Sequence, residues 1–155
     1  MSDPDFVHVI YIRATPQAIW DALTDGESTA HFWAARTNES SWEKGASLRF
    51  IASGEREGCV DFSGEVLESD PPRLLRYSFH ITGPGPMHDE GPSIVTYRIE
   101  PSRDLTRLTV THSGFPAGSK VREGVSGGWP RILSGLKSWL ETGQGIEPWS
   151  RADEE

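Results

Sequence analysis

His112 is the side chain in this sequence best suited to proton transfer. It follows Leu108 and Val110 at intervals of two residues in "LTRLTVTHS", and a strand with that alternation points all three side chains to one apolar side. An imidazole titrates near neutral pH, so an inward histidine beside an open space could move protons. A buried neutral histidine is the alternative, because no inward carboxylate is visible to orient the ring.

Metal binding and nucleophilic catalysis find little support in the sequence. The five histidines show no ligand spacing, and His88-Asp89-Glu90 falls in a Gly/Pro-rich loop. "SGLK" at 134–137 matches one serine-enzyme motif without its companion motifs, and "THSGF" lacks the first glycine of a nucleophile elbow. The single Cys59 excludes an internal disulfide and has only Arg56 as a basic neighbour. We therefore predict no metal, no cofactor and no catalytic residue.

Aromatic residues give a stronger signal, because rings with a polar handle can hold and orient an apolar ligand. The chain has six Trp, six Phe and three Tyr. The inward-facing residues predicted to line a ligand cavity are Trp33, Phe50, Phe62, Tyr77, Phe79, Tyr97, His112, Phe115, Trp129 and Leu133. Among them Tyr77, Tyr97 and His112 could hydrogen-bond a polar group of the ligand. Packing of the same rings into a solid core is the alternative interpretation.

The strands that would position these residues follow from a period of two between residues 48 and 113. Five alternating segments predict a meander, joined by the turns "SGEREG", "SDPPR" and "PSRD" and by the long loop "TGPGPMHDEGP". "FVHVIYIR" predicts one earlier strand, and "ATPQAIWDALTD" and "ESTAHFW" predict two short helices after it, the first capped by Thr15 with Pro16 following. This order indicates an α+β fold with an antiparallel sheet of about six strands.

The C-terminal segment "GGWPRILSGLKSWLETG", residues 127–143, has the apolar spacing of an amphipathic helix. A helix this short is marginal alone in water, and an antiparallel sheet with one apolar face needs a cover. We therefore predict that the helix covers the concave side of the sheet. Gly124, Gly127, Gly128 and Pro130 should either kink it or delay its start to about Gly128, with Pro130 in the first turn.

Length and composition favour one cytoplasmic domain. A chain of 155 residues suits a single domain, with an ordered core at about 5–145 and an acidic tail at 146–155. Fifteen Lys and Arg against 23 Asp and Glu give a formal charge of −8, and the scattered basic residues argue against nucleic acid as a partner. The N-terminus lacks a signal-peptide pattern, and no apolar run approaches 18 residues, so no membrane span is predicted.

Four separated blocks also resemble a known family. They are "ATPQAIWDALTDGESTAHFW", "GEVLESDPPRLLRYSF", "SIVTYRIEPSRDLTRLTVTHSGFP" and "GGWPRILSGLKSWLETG". Together they are similar to the Hsp90 ATPase activator homologue family of the START-like (SRPBCC) helix-grip superfamily, over nearly the whole chain. The resemblance implies a strongly curved sheet gripping a long helix, with an interior cavity that many relatives use for lipids, polyketides or other apolar molecules. The chain looks like the single-domain bacterial members of the family.

Three functions are open at this point. The leading hypothesis is a non-enzymatic protein that binds one small, hydrophobic, aromatic or lipid-like molecule beneath the C-terminal helix, with the loop at 82–92 as a lid. A cyclase- or dehydratase-like enzyme on the same scaffold would move protons with His112 and Tyr77 or Tyr97. A co-chaperone or regulator of the bacterial Hsp90 homologue would instead bind a protein partner through its outer surface.

Overall fold

The fold was analysed in a computed structural model that describes residues 2–146, so most of the predicted acidic tail lies outside the described residues. The elements in chain order are β1 (Phe6–Ile12), α1 (Pro16–Thr24), α2 (Gly26–Thr29), β2 (Arg36–Glu39), β3 (Ser47–Ala52), a 3-10 turn (Gly54–Arg56), β4 (Val60–Asp70), β5 (Leu74–Ile81), α3 (Pro86–Asp89), β6 (Ser93–Ser102), β7 (Leu105–Ser113) and α4 (Lys120–Thr142). Within this range, no helix is both long and apolar enough to span a membrane.

The strands form one antiparallel sheet in the order β1-β7-β6-β5-β4-β3-β2. The predicted α+β architecture is confirmed, although the described residues form seven strands and not about six. The additional strand, β2, has the polar sequence "RTNE" and pairs with β3, where Asn38 lies opposite Phe50. Sequence periodicity missed it because four polar residues carry no apolar alternation. The short helix α3 also lies within the segment that we predicted as a loop.

Alternation places one face of the sheet in the core, as predicted. On β5, Leu75, Tyr77 and Phe79 are buried while the residues between them are only partly covered, and on β7 Leu108, Val110 and His112 follow the same rule. Two irregularities in strand register, at Phe50/Ile51 and at Val66/Glu68, interrupt the ladders around β4. Such irregularities bend a sheet locally, and here the sheet curls into a half-barrel.

Helix α4 lies across the concave face, as the sequence predicted. Trp129, Ile132, Leu133 and Leu136 are buried, and the Trp129 ring centroid lies 5.9 Å from that of Tyr97 on β6. The helix ends at Thr142 and is capped by Gly143, whose φ of 80° is left-handed, as is common after helices.

We predicted either a kink in α4 or a start near Gly128, and the second alternative is wrong, because the helix already begins at Lys120 and contains Pro130 in its interior. Contacts at its N-terminus explain the difference. The Ser119 side chain accepts a hydrogen bond from the Arg122 backbone N–H at 2.9 Å, and the Glu90 carboxylate accepts one from the Lys120 N–H at 2.6 Å. These caps stabilise a first half that has poor helix propensity.

Candidate functional site

A cavity of about 450 Å³ lies between the sheet and the N-terminal half of α4. Its wall consists of Trp33, Ala34, Arg36, Phe62, Phe79, Ile81, Met87, Val121, Glu123, Gly124, Val125, Gly128, Trp129 and Ile132. Phe62 and Phe79 form its floor as a stacked pair with ring centroids 4.6 Å apart, and the Trp33 and Trp129 rings meet edge to face at 5.5 Å. The lining is therefore mainly aromatic and aliphatic, with two charged side chains.

The turn between α2 and β2 brings two side chains to this cavity, one from each end of the segment 33–36. Ala34 and Ala35 between them have left-handed φ values of 51° and 59°, which residues with a Cβ rarely adopt. Backbone hydrogen bonds from Arg36 to Trp33 and from Ser53 to Ala35, both at 3.0 Å, hold the turn. The tight reversal lets Trp33 and Arg36 line the same wall.

Arg36 is held at the cavity by two contacts. Its Nε donates to Asp61 Oδ2 at 2.8 Å, and its guanidinium carbon lies 4.7 Å from the centre of the Phe62 ring. Asp61 also accepts hydrogen bonds from Arg56. Partial burial works to raise the pKa of the Asp61 carboxyl, but the hydrogen bonds from Arg56 and Arg36 outweigh it and lower that pKa. Asp61 is therefore ionised at neutral pH and fixes the arginine.

The roof of the cavity is partly bare helix backbone. Gly124 and Gly128 lie one turn apart on α4, and both face the cavity. A Cβ added at Gly128 would meet no atom within 4 Å, whereas one at Gly124 would lie 3.4 Å from the Met87 side chain of α3. Helix α3 thus closes one side of the cavity with Met87.

Helix α3 is tied down on both flanks. Glu90 after it caps α4, and within it His88 Nδ1 donates to the Ile81 carbonyl at 2.7 Å. His80 Nε2 donates to the His88 carbonyl at 2.9 Å, and the two imidazoles stack at 4.5 Å. The predicted lid segment therefore contains a short, hydrogen-bonded helix that contributes Met87 to the cavity wall.

The ten residues that we predicted from the sequence divide into two groups. Trp33, Phe62, Phe79 and Trp129 line the cavity. The other six are buried behind it in a packed aromatic and aliphatic core: Phe50, Tyr77, Tyr97, His112, Phe115 and Leu133. Ligand contact by any of the ten stays a prediction.

Sequence reasoning missed several cavity residues, of which Arg36, Met87 and Gly128 are the most informative. Arg36 lies on the strand that periodicity did not predict, and Met87 lies in the segment that we predicted as a loop. From the sequence, Gly128 is interpreted as part of a helix kink or helix start and not as a residue of the cavity wall. The sequence spacing could have indicated its role, because Gly124 and Gly128 are four residues apart and hence on one helix face.

His112 is locked in one neutral form by its neighbours. The Trp129 indole N–H can only donate, and it donates to His112 Nδ1 at 3.0 Å, so the ring proton is on Nε2. That Nε2 lies 2.7 Å from Ser93 Oγ, which donates to the Phe79 carbonyl at 3.3 Å. Desolvation by burial lowers the pKa of His112 to about 3. Both nitrogens are therefore occupied, and the ring is a structural link between β7, β6 and α4.

The Tyr77 and Tyr97 hydroxyl groups hydrogen-bond to each other, and neither side chain lines the cavity. Their hydroxyl oxygens lie 2.9 Å apart and both rings are fully buried. Burial raises the pKa of each phenol above its usual range, so both stay protonated at any physiological pH. Among the described residues, no group of three or more His, Cys, Asp or Glu side chains is placed to hold a metal ion.

Comparison with known proteins agrees with the fold. Protein MLL2253 from Mesorhizobium loti superposes with a TM-score of 0.76 at 25% identity, covering 89% of this chain and 97% of its own. PFC0360w, an HSP90 activator from Plasmodium falciparum, gives 0.68 at 19% identity over 88% and 95%. DynU16, from the dynemicin biosynthetic locus, gives 0.74 at 23% identity over 92% of this chain and 49% of its own.

No protein of curated function matches the sequence. The sequence model of one family, described as Activator of Hsp90 ATPase homolog 1-like protein, matches residues 13–141. That span runs from the end of β1 almost to the end of α4 and so includes every wall of the cavity. The chain belongs to the family of Activator of Hsp90 ATPase homolog 1-like proteins.

Proposed function

We propose that this protein binds one small, mainly hydrophobic, ring-containing molecule in the cavity beneath α4. The observation that supports the proposal is the cavity itself. A volume of about 450 Å³ lies within the range of roughly 300 to 1,000 Å³ typical of small-molecule sites. Its aromatic pairs offer ring faces and edges to a flat ligand, and such contacts add to the free energy of apolar burial.

Binding without catalysis fits the polar groups around the cavity better than proton transfer does. His112 has both ring nitrogens occupied, and the Tyr77 and Tyr97 hydroxyls face each other in the core. A general acid or base must reach the reacting atom within hydrogen-bond distance, and these three groups lie behind the cavity wall. The cyclase- or dehydratase-like alternative therefore loses the residues on which it depended.

A titration of cavity ligands against tryptophan fluorescence tests the proposal, because Trp33 and Trp129 both line the cavity. The matched variants are Gly128→Leu and Ser134→Leu. A leucine at position 128 would project from α4 into open space inside the cavity, whereas position 134 is exposed on the same helix. We expect ring-containing apolar ligands to quench the wild type and Ser134→Leu alike, and to bind Gly128→Leu at least about tenfold more weakly, since a filled cavity excludes them.

Two results would contradict the proposal. One is a wild-type protein whose fluorescence responds to none of a broad set of apolar ring compounds. The other is a Gly128→Leu variant that is folded by circular dichroism and binds such compounds as tightly as the wild type.

Regulation of an Hsp90-type chaperone is the second candidate function, and membership of the family favours it. This function is tested by measuring the ATPase rate of the bacterial Hsp90 homologue with and without this protein. A rate that rises in the wild type and also in Gly128→Leu would assign the activity to the outer surface and not to the cavity.

A further inference from the structure

We propose that the ligand carries a carboxylate and that Arg36 binds this group at the mouth of the cavity. The inference rests on the proposed function and specifies the chemical class of the ligand. Among the two charged side chains in the cavity wall, Glu123 is exposed on α4, whereas the Arg36 side chain is only 21% exposed. Arg36 is thus the charged group that a ligand filling the cavity would cover.

The hydrogen bonds of Arg36 leave most of its donors available. Nε is occupied by Asp61 Oδ2, and the face of the guanidinium is occupied by the Phe62 ring. Its two terminal nitrogens, with four N–H groups, have no partner among the described residues, and neither is sealed from water. Such a fork matches the two oxygens of a carboxylate.

The local charge also favours an anion. Asp61 is shared between Arg36 and Arg56, so the three side chains together carry a net charge of +1. Arg56 directs its terminal nitrogens at Asp61 and has a side chain that is 60% exposed. The excess positive charge therefore lies on the cavity side, at the unpaired end of Arg36. Glu123 forms no ion pair with Arg36 among the described contacts, and solvent screens its charge at the rim.

Arg36 is also preorganised before any ligand arrives. Asp61 and Phe62 fix the guanidinium, and the left-handed residues Ala34 and Ala35 set the direction in which its strand begins. Backbone strain of this kind persists where the surrounding structure enforces it, and it clusters at ligand sites. A fixed donor pair loses little side-chain entropy on binding, so its contribution to affinity is retained.

The cost of removing water from Arg36 determines whether the cavity prefers a hydrocarbon or a carboxylate ligand. A purely hydrocarbon ligand in the cavity would displace water from Arg36 and leave charged donors unpaired, which is unfavourable. A ligand whose carboxylate lies between the two terminal nitrogens replaces that water with two charge-assisted hydrogen bonds. The remaining apolar wall then contacts the ring or chain of the same molecule.

Calorimetric titration with three naphthalene probes tests the inference: 2-naphthoate, methyl 2-naphthoate and 2-naphthylmethylammonium. We expect the wild type to bind 2-naphthoate roughly tenfold to a hundredfold more tightly than its methyl ester, and the ammonium probe most weakly. In Arg36→Met the two naphthoate forms should bind equally, with affinity for the ester retained. Arg36→Lys keeps the charge without the fork and should show an intermediate preference.

Arg49→Met is the matched control. Arg49 lies on β3, forms an exposed ion pair with Glu39 and does not line the cavity, so the variant removes an arginine away from the site. It should keep the wild-type preference. Equal affinity of the wild type for acid and ester, or an unchanged preference in folded Arg36→Met and Arg36→Lys, would overturn the assignment of Arg36 while leaving the cavity as an apolar site. Failure of all three probes to bind would overturn the proposed function and this inference together.

Discussion

At the scale of single residues, His112 on β7 is hydrogen-bonded through its two ring nitrogens to Ser93 on β6 and to Trp129 on α4. The alternation of β7 placed it inward, next to Val110, and the structure agrees. Its hydrogen-bond partners, Ser93 and Trp129, are 19 and 17 residues away along the chain, so no local pattern relates them to it. The sequence left a proton shuttle and a buried neutral ring as alternatives, and only these contacts distinguish them.

Burial of His112 should make the stability of the protein depend on pH above the range in which carboxylates titrate. The pKa is about 3 in the folded state and about 6.5 in an unfolded chain. Between these values the unfolded state binds more protons, so the free energy of unfolding falls as pH decreases, by about 1.4 kcal/mol per pH unit once well below 6.5. Urea unfolding of the wild type at pH 7, 6 and 5 measures this slope.

The variant His112→Gln identifies the source of that slope. It removes the titrating group, so we expect lower stability at pH 7 but a much flatter dependence between pH 7 and 5. Asp61 and Glu141, whose carboxyl pKa values are lowered, contribute mainly below about pH 4. A variant that retains the full wild-type slope would show that another group is responsible.

The start of helix α4 depends on tertiary contacts and not on local sequence alone. Its amphipathic half, from residue 129 onward, was evident from apolar spacing, whereas the half before it contains three glycines and precedes Pro130. Local propensity disfavours that half, since glycine is about 1 kcal/mol and proline about 3 kcal/mol worse than alanine inside a helix. The carboxylates that cap it, Asp3 and Glu90, come from distant parts of the chain.

We expect Glu90→Gln to loosen the first turns of α4 while leaving its second half intact. Glu90 accepts from Ser119 Oγ and Lys120 N, both at 2.6 Å, and its charge faces the positive end of the helix dipole. Loss of the charge should cost about 1 kcal/mol of stability. Hydrogen exchange followed by mass spectrometry should show faster exchange at 120–128 than in the wild type, with little change at 132–140.

The neighbouring substitution Asp89→Asn is the control for this change. It removes the same charge one residue earlier, from an exposed side chain in α3. Equal acceleration of exchange in both variants would contradict a specific capping role for Glu90.

At the scale of the whole molecule, the sequence predicted the layers but not the space between them. Strand alternation predicted the inward direction of six of the ten candidate residues, and the sequence could not tell the four at the cavity from the six in the core. The pairings of β3 with β4 and of β4 with β5 contain register irregularities, which bend a sheet locally and so affect where space remains beneath α4. Those irregularities result from long-range pairing and leave no mark in hydrophobic periodicity.

A substitution at Gly64 on β4 tests how much the close approach of β4 and β5 contributes to the stability of the protein. A Cβ at this position would lie 1.8 Å from the Ser78 carbonyl oxygen on β5, so Gly64→Ala must push two bent strands apart. We expect a loss of about 1–3 kcal/mol in the free energy of unfolding, measured in urea.

Gly128→Ala is the matched comparison, because its Cβ would meet no atom within 4 Å and it lies inside a helix. It should stabilise the protein by about 0.5–1 kcal/mol. Equal effects of the two alanines would contradict the close approach of β4 and β5.

Two positions of α4 that face the cavity carry no side chain, and this has a consequence for how the cavity can be reshaped. Gly124 and Gly128 face the cavity without side chains, whereas the buried residues from Trp129 to Leu136, of which Trp129 and Ile132 also line the cavity, anchor the helix. Replacing either glycine by residues of graded size would change the shape of the space below while leaving the anchoring contacts untouched. One or two substitutions on a single helix would therefore change which molecules fit the proposed site, without changing the fold.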